Sequence, residues 1–184
     1  MAEDFDVAAR EVLTAKPDLR LLQDPTITQP TKVALEARAA GGGVLLMTSD
    51  VEPDDPAPWR TVTKRGPSEQ EMADLGFAWR IARHVKSNAI VLARDGAIVG
   101  VGAGQMNRVQ SARLAVEQAG EKARGAVCAS DAFFPFPDGV ETCLAAGVTA
   151  VVEPGGSRKD DDVIAAVDAA GAAMVFTGRR HFRH

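Results

Sequence analysis

Four stretches of the 184-residue sequence carry side chains whose types and spacing could do chemistry. The densest is Ser130-Asp131-Ala132-Phe133-Phe134-Pro135-Phe136-Pro137-Asp138, which holds three of the seven phenylalanines. Aromatic rings and prolines in one connection make a rigid apolar wall for a flat heteroaromatic ligand, with Asp138 able to accept from ring N–H groups. The same pattern equally suits a plug of core aromatics with Asp138 as a helix N-cap. Gly100-Val-Gly-Ala-Gly104 follows a strand pattern and precedes a helix pattern. Its N–H groups, with Arg108 just inside the helix, could hold a carbonyl or an anion, or the glycines could simply serve a tight turn. Glu153-Pro-Gly-Gly-Ser157 offers Ser157 and two glycines at a strand end, as a ligand edge or as a plain loop. The ending Gly-Arg-Arg-His-Phe-Arg-His concentrates positive charge. Arg180 could clamp a phosphate there, and Phe176 and Phe182 suggest a docked segment rather than a loose basic tail.

Several chemistries are excluded by spacing. Gln105 stands where the third glycine of a dinucleotide fingerprint is needed, and no Gly-Lys-Ser/Thr triplet or G-x-S-x-G elbow occurs. The three histidines (His84, His181, His184) and two cysteines offer no H-x-E with P-C-x-x-C, so zinc deaminase chemistry and a structural zinc are not expected. His84, in the last turn of the helix containing Trp79, reads as a helix-end histidine. Cys128 and Cys143 read as small buried hydrophobes. A formal charge of −4 argues against a general nucleic-acid binder. The acidic start MAEDFDVAAR and the lack of a long apolar run predict a cytoplasmic protein with no secretory signal and no membrane association.

These side chains must be positioned by an α/β framework, for which 46% hydrophobic residues supply a core. The first third predicts a helix over Val7–Ala15, a strand over Leu19–Leu22, and strands Lys32–Arg38 and Gly43–Met47 joined by a glycine-rich turn, with exposed loops at Asp24–Pro30 and Asp50–Pro58. A helix starts at Pro67-Ser68-Glu69-Gln70-Glu71 and runs through Val85. Runs Asn88–Ala93 and Ala97–Val101 flank an Asp-Gly turn and predict a hairpin. Beyond it the pattern gives helix Asn107–Ala119, strand Ala126–Ala129, helix Gly139–Ala146, strand Val148–Val152, helix Asp160–Ala170 and strand Ala172–Phe176. Alternation implies parallel pairing, and the hairpin makes the sheet mixed.

Five separated strings, Val85-Lys-Ser-Asn-Ala-Ile-Val91, Val99 to Val109, Ala129 to Phe136, Pro154-Gly-Gly-Ser157 and Phe176 to His184, together closely resemble the carboxyl-terminal half of AICAR transformylase. That enzyme is the formyl-transferring part of a bifunctional purine biosynthesis protein that also carries IMP cyclohydrolase. The resemblance implies a cytidine-deaminase-like three-layer fold with a mixed sheet, here a single copy over residues 1–184 of a fold the family carries twice. It implies transfer of formyl from 10-formyltetrahydrofolate to AICAR or a related aminoazole carboxamide ribonucleotide, at sites between subunits of a dimer. Carried over position by position, Asn88 and Arg108 meet the carboxamide side, Phe133 holds the imidazole and Arg180 approaches the phosphate. Asn88 also takes a catalytic part by orienting the carboxamide. Val109, Pro135, Phe136, Asp138 and Ser157 line the folate side, and a monovalent cation such as K+ lies near Ser87, Asp131 and His181.

One departure matters. The family's Lys-His base lies in a K-H-x-N-P-C-G string, and this sequence has no Lys-His dipeptide and no cyclohydrolase domain. The resemblance then admits an enzyme completed by a chain carrying the Lys-His half, a non-catalytic nucleotide- or folate-binding module or scaffold subunit, or a fragment of a longer protein. Retained residues for both ligands favour the first. A copy lacking its sister should also expose apolar surface, so association into a homo-oligomer or heteromer is expected.

Overall fold

The computed structural model describes residues 1–29, 34–51 and 55–183. The single domain expected over residues 1–184 is laid out as two compact units, Met1–Pro53 and Asp54–His184.

In the first unit Asp6 caps helix α1 (Val7–Thr14) by accepting from the Ala9 N–H. Strands β1 (Leu35–Ala40) and β2 (Gly43–Thr48) form an antiparallel hairpin closed by Gly41 and Gly42, both at positive φ. The strand expected at Leu19–Leu22 is irregular. Its nearest pairing is one isolated bridge, Ala2 to Gln23, because among the described residues no neighbouring strand presents a ladder to it. Leu35, Val44, Leu45 and Leu46 are all exposed on the hairpin, on both of its faces. Residues 32–33 of the expected first strand, Pro30 and residues 52–54 of the two expected loops, and His184 of the tail lie outside the described residues.

The second unit is an α/β sandwich on a mixed six-stranded sheet. Its strands are β3 (Arg60–Thr61), β4 (Ile90–Arg94), β5 (Ala97–Gly102), β6 (Val127–Ser130), β7 (Ala150–Glu153) and β8 (Ala173–Phe176), in the order β3-β8-β7-β6-β4-β5. Strands β6, β7 and β8 run parallel, while β4 is antiparallel to both β5 and β6, as alternation plus a hairpin requires. The two-residue β3 was not foreseen, being too short for any period to register.

Helices cover both faces. Helix α2 (Glu69–Ala82) buries Leu75, Ala78 and Trp79 against Val91, Val127, Val152 and Val175. On the other face Ala112 and Ala115 of α3 (Arg108–Ala119), Val140 and Cys143 of α4 (Pro137–Ala145), and Val163 and Val167 of α5 (Asp160–Ala169) pack on Ile90, Leu92, Cys128, Val151 and Met174. The alternating pleat sends successive side chains of each strand into one core or the other. Both cysteines are buried in this second core, their sulfurs 3.8 Å apart, and the Cys143 sulfur and burial together push the Cys128 thiol well above its ordinary range.

Helix α2 begins at a capping box. Ser68 accepts from the Glu71 N–H and Glu71 accepts from the Ser68 N–H, so Pro67 precedes the cap instead of opening the helix. The helix ends at Ala82, which leaves His84 in the following turn. Buried Asp74 accepts from the N–H groups of Asp95 and Gly96 at 2.9 and 2.8 Å, pinning the hairpin turn, where both residues have positive φ, to α2. Asp138 is not the N-cap of α4. Phe136 is, with Pro137 opening the helix and Asp138 accepting from the Gly139 N–H.

Two of the three glycines of the run have a purpose other than those expected, while Gly104, at positive φ, serves the turn. Gly100 and Gly102 lie inside β5, directly beneath α3. A Cβ at Gly100 would stand 2.1 Å from the Ala115 carbonyl oxygen, and one at Gly102 1.8 Å from that of Ser111. These two glycines let helix and strand backbones touch, and of the three only Gly104 has positive φ. Gly102→Ala is therefore expected to cost about 1–3 kcal/mol or more by overpacking, read as a lowered urea midpoint, whereas Gly96→Ala, with open space around it, acts only through its backbone.

Candidate functional site

The parallel pairing of β6 and β7 places the loops after Ser130 and after Glu153 at the same sheet edge. The carboxyl edge of a parallel sheet segment is where side chains from several loops can converge. Here the loop after β6, the start of α3 and the chain's last residues meet.

At the centre is Arg108. It opens α3 yet is buried, because its guanidinium turns inward to Asp131 at 2.5 Å, Ser130 Oγ at 2.9 Å and Asn88 Oδ1 at 3.0 Å. Asp131 is held from several elements. It also accepts from the Ala89 N–H and the Ser87 hydroxyl, and its carbonyl accepts from the His181 N–H. Asn88 is held by both ends of its amide, with Oδ1 facing the guanidinium and Nδ2 donating to the Gln105 carbonyl at 2.9 Å. Because an arginine only donates, the amide oxygen must face it, which fixes the orientation of Asn88. One N–H and one lone pair of that amide remain for a ligand.

The chain end is docked. His181 is buried with its ring 4.8 Å from that of Trp79, the Ser87 N–H donates to the Arg183 carbonyl, and exposed Arg180 lies 5.0 Å from the Phe182 ring. Ser87, Asp131 and His181 are therefore brought together as expected. The Asp131 oxygens are taken by Arg108, Ala89 and Ser87, the local positive charge is already Arg108, and the His181 ring packs on Trp79.

Two cavities open on this framework. One, of about 340 Å³, is lined by Asn88, Arg108, Phe133 and Arg180, together with Met106, Asn107, Ala132, Pro135 and Phe182. The other, of about 470 Å³, is lined by Val109, Pro135, Phe136 and Asp138 with Asn107, Arg108, Gln110, Arg113, Phe134 and Gly139. Asn107, Arg108 and Pro135 belong to both, so the cavities share a wall. The four residues expected around a nucleotide fall in the first, and four of the five expected around a folate in the second. Ser157 lines neither. Its N–H donates to Asp160 and its hydroxyl accepts from the Lys159 N–H.

Sequence reading missed Asn107, Gln110 and Arg113. With Val109 they follow helical spacing along the first turns of α3, a signal visible only once Arg108 is known to point inward. It also passed over Glu153, the last residue of β7. Glu153 is fully buried, and its Oε2 accepts from the Phe134 N–H at 2.7 Å. Burial pushes its carboxyl up to about 8, nearby Asp160 adding to the rise, while the Phe134 N–H and Arg108 oppose it.

The chain's relatives are consistent in kind. A family model described as AICARFT/IMPCHase bienzyme matches residues 1–118. The bifunctional purine biosynthesis protein PurH of Dinoroseobacter shibae is 53% identical over 197 residues, covering 100% of this chain and 37% of that protein. PurH of Chloroflexus aurantiacus is 55% identical over 188 residues, covering 100% of this chain and 36% of that protein. The chain thus spans little more than a third of the length of these curated relatives. Among solved structures, Acinetobacter baumannii RibD (form 2) superimposes on 53% of this chain and 31% of its own, with a TM-score of 0.40 and 18% identity, a likeness too slight to bear on the fold. Because the family model matches well over half of the chain, and relatives more than half identical cover all of it, this chain belongs to the AICARFT/IMPCHase bienzyme family.

Proposed function

We propose that the second unit, a single copy of a cytidine-deaminase-like fold, binds AICAR or a related aminoazole carboxamide ribonucleotide in the smaller cavity and 10-formyltetrahydrofolate in the larger. The observation that carries this reading is the shared wall: Arg108 and Pro135 border both cavities, so two ligands would lie edge to edge. Arg180 would meet the phosphate, Phe133 would stack on the imidazole, and the spare N–H and lone pair of Asn88 would pair with the carboxamide. Val109, Pro135, Phe136 and Asp138 would hold the folate.

The reaction would join the 5-amino nitrogen to the formyl carbon and break the bond between that carbon and the folate N10. The amine gives up a proton and N10 gains one. An aromatic amine conjugated to a carboxamide is a weak nucleophile, so the residues present would contribute by positioning the two reactants. Proton removal requires a base such as the family's Lys-His pair, which this sequence lacks. A second polypeptide carrying that half, in a cytoplasmic heteromer, would supply it.

Formyl transfer should therefore be undetectable with the chain alone and should appear on mixing with a polypeptide that carries the Lys-His string. AICAR should bind the chain alone in calorimetry, and Arg180→Ala should weaken it about 10–100-fold through loss of a charge-assisted contact. Unchanged affinity in that variant would remove the nucleotide from this cavity.

A further inference from the structure

The wall between the two cavities is a loop with little secondary structure of its own, and something must set its shape. Between the end of β6 and the start of α4, Phe133 lines the smaller cavity, Phe136 the larger and Pro135 both, while fully buried Phe134 backs the larger. The Phe134 N–H sits where the loop passes from one cavity to the other, since Phe133 before it lines the smaller, Pro135 after it borders both and Phe136 lines the larger. Its partner is Glu153 Oε2, at 2.7 Å, from the end of the adjacent parallel strand.

We propose that Glu153 is the positioning residue for this wall: by accepting the Phe134 N–H from the end of β7, it sets where Phe133 stands in the smaller cavity, Phe136 in the larger and Pro135 between them. Glu153 lines neither cavity and acts only through Phe134. The environment favours a rigid anchor. The side chain has no accessible surface, and Oε1 has no hydrogen-bond partner among the described residues. The groups that face it are Cys128 from β6, Asp160 from the start of α5 and Arg108 from the start of α3. Asp160 repels its anion, Arg108 attracts it while already engaged with Asp131, and the Cys128 thiol is itself held neutral. Burial therefore keeps the acid neutral at pH 7, and raising the pH through about 8 places a charge beneath the wall. Ionisation in so dry a site would draw Oε1 toward water or Arg108, and the Phe134 N–H would move with the carboxyl.

The consequence for ligands rests on the nucleotide reading of the smaller cavity, so the test is built in two arms. In the first, which needs no ligand, the Phe134 amide is followed by ¹H–¹⁵N NMR from pH 6 to 9.5 in the full chain. It should titrate with a midpoint near 8 in the wild type and be flat in Glu153→Gln, whose side-chain oxygen can still accept the bond. In the second arm, AICAR affinity is measured by calorimetry over the same range. The wild type should weaken about tenfold above pH 8 relative to Glu153→Gln, and Glu153→Leu, which has no acceptor, should bind about tenfold or more weakly at every pH. A Phe134 amide that ignores both pH and the Gln substitution, or a Glu153→Leu protein that binds AICAR as the wild type does, overturns the proposal. If AICAR binds none of the proteins, the nucleotide reading falls, and the amide titration alone decides the role of Glu153.

Discussion

Replacing Arg108 by methionine is expected to cost about 3–5 kcal/mol of folding stability, the scale on which removing one partner of a buried ion pair acts. The loss arises less from the missing attraction than from what remains. Asp131, with almost no exposed surface, would be left beside Ser130 and Ala89 with no cation to balance a charge there. Asn88 would lose the donor that fixes its amide, and Ser130 Oγ one of its partners. The double variant Arg108→Met with Asp131→Asn should recover part of the loss, because it removes the stranded charge as well. Urea midpoints of the wild type, both single variants and the double variant close this cycle. A cost below about 1 kcal/mol for Arg108→Met would mean that the pair behaves as an exposed one, contrary to its burial. The same variant should abolish AICAR binding, whereas Arg180→Ala should leave stability near that of the wild type, since Arg180 is exposed.

The contrast between these two arginines shows what was legible in the sequence. Both stood out as cations near apolar or glycine-rich segments, and both line the same cavity. That one is a buried organiser and the other an exposed side chain depends on Asp131, twenty-three positions away in sequence, and on the β4–β6 pairing that brings Ala89 beside Asp131. Long-range geometry of this kind leaves no local period. The helices and the hairpin were legible because their signals are local: the Ser68–Glu71 capping box, the Asp95-Gly96 turn, and glycines closing α3 and α4. Strand β3 is too short to signal itself, and Leu19–Leu22 had strand composition without a partner. Gly100 and Gly102 escaped the sequence for a related reason. Glycine spacing of two within a strand marks the close approach of another backbone only when it is known that a helix lies above it. Ser157 was placed correctly at the sheet edge but not at either cavity, because sharing an edge does not fix which loop reaches over which strand.

Folding stability is also expected to fall as the pH rises from about 4.5 to about 8, and Glu153→Gln should remove most of that slope. In the unfolded chain Glu153 loses its proton near 4.5, whereas in the folded protein burial holds the carboxyl neutral up to about 8. Between those values the unfolded state binds fewer protons than the folded one, so each pH unit lowers stability by up to about 1.4 kcal/mol, for a total of about 3–5 kcal/mol. Above the folded-state value both forms are ionised and the curve flattens. Glu71 works in the opposite sense and in a different window. Burial would raise its carboxyl, but Arg65 at 2.7 Å and the Ser68 N–H outweigh burial and hold it at about 2. Its contribution is present above about 4.5 and is lost as the pH falls toward 2. The two carboxyls therefore bracket a stability maximum near pH 4.5 to 5 from these groups, and each limb can be removed separately, by Glu71→Gln on the acid side and Glu153→Gln on the alkaline side. Urea midpoints at pH 3, 5, 6.5, 8 and 9 would show it. Wild-type and Glu153→Gln curves that stay parallel between pH 5 and 8 would mean that the folded protein lets water reach the Glu153 carboxyl, and the dry anchor beneath the aromatic wall would have to be given up.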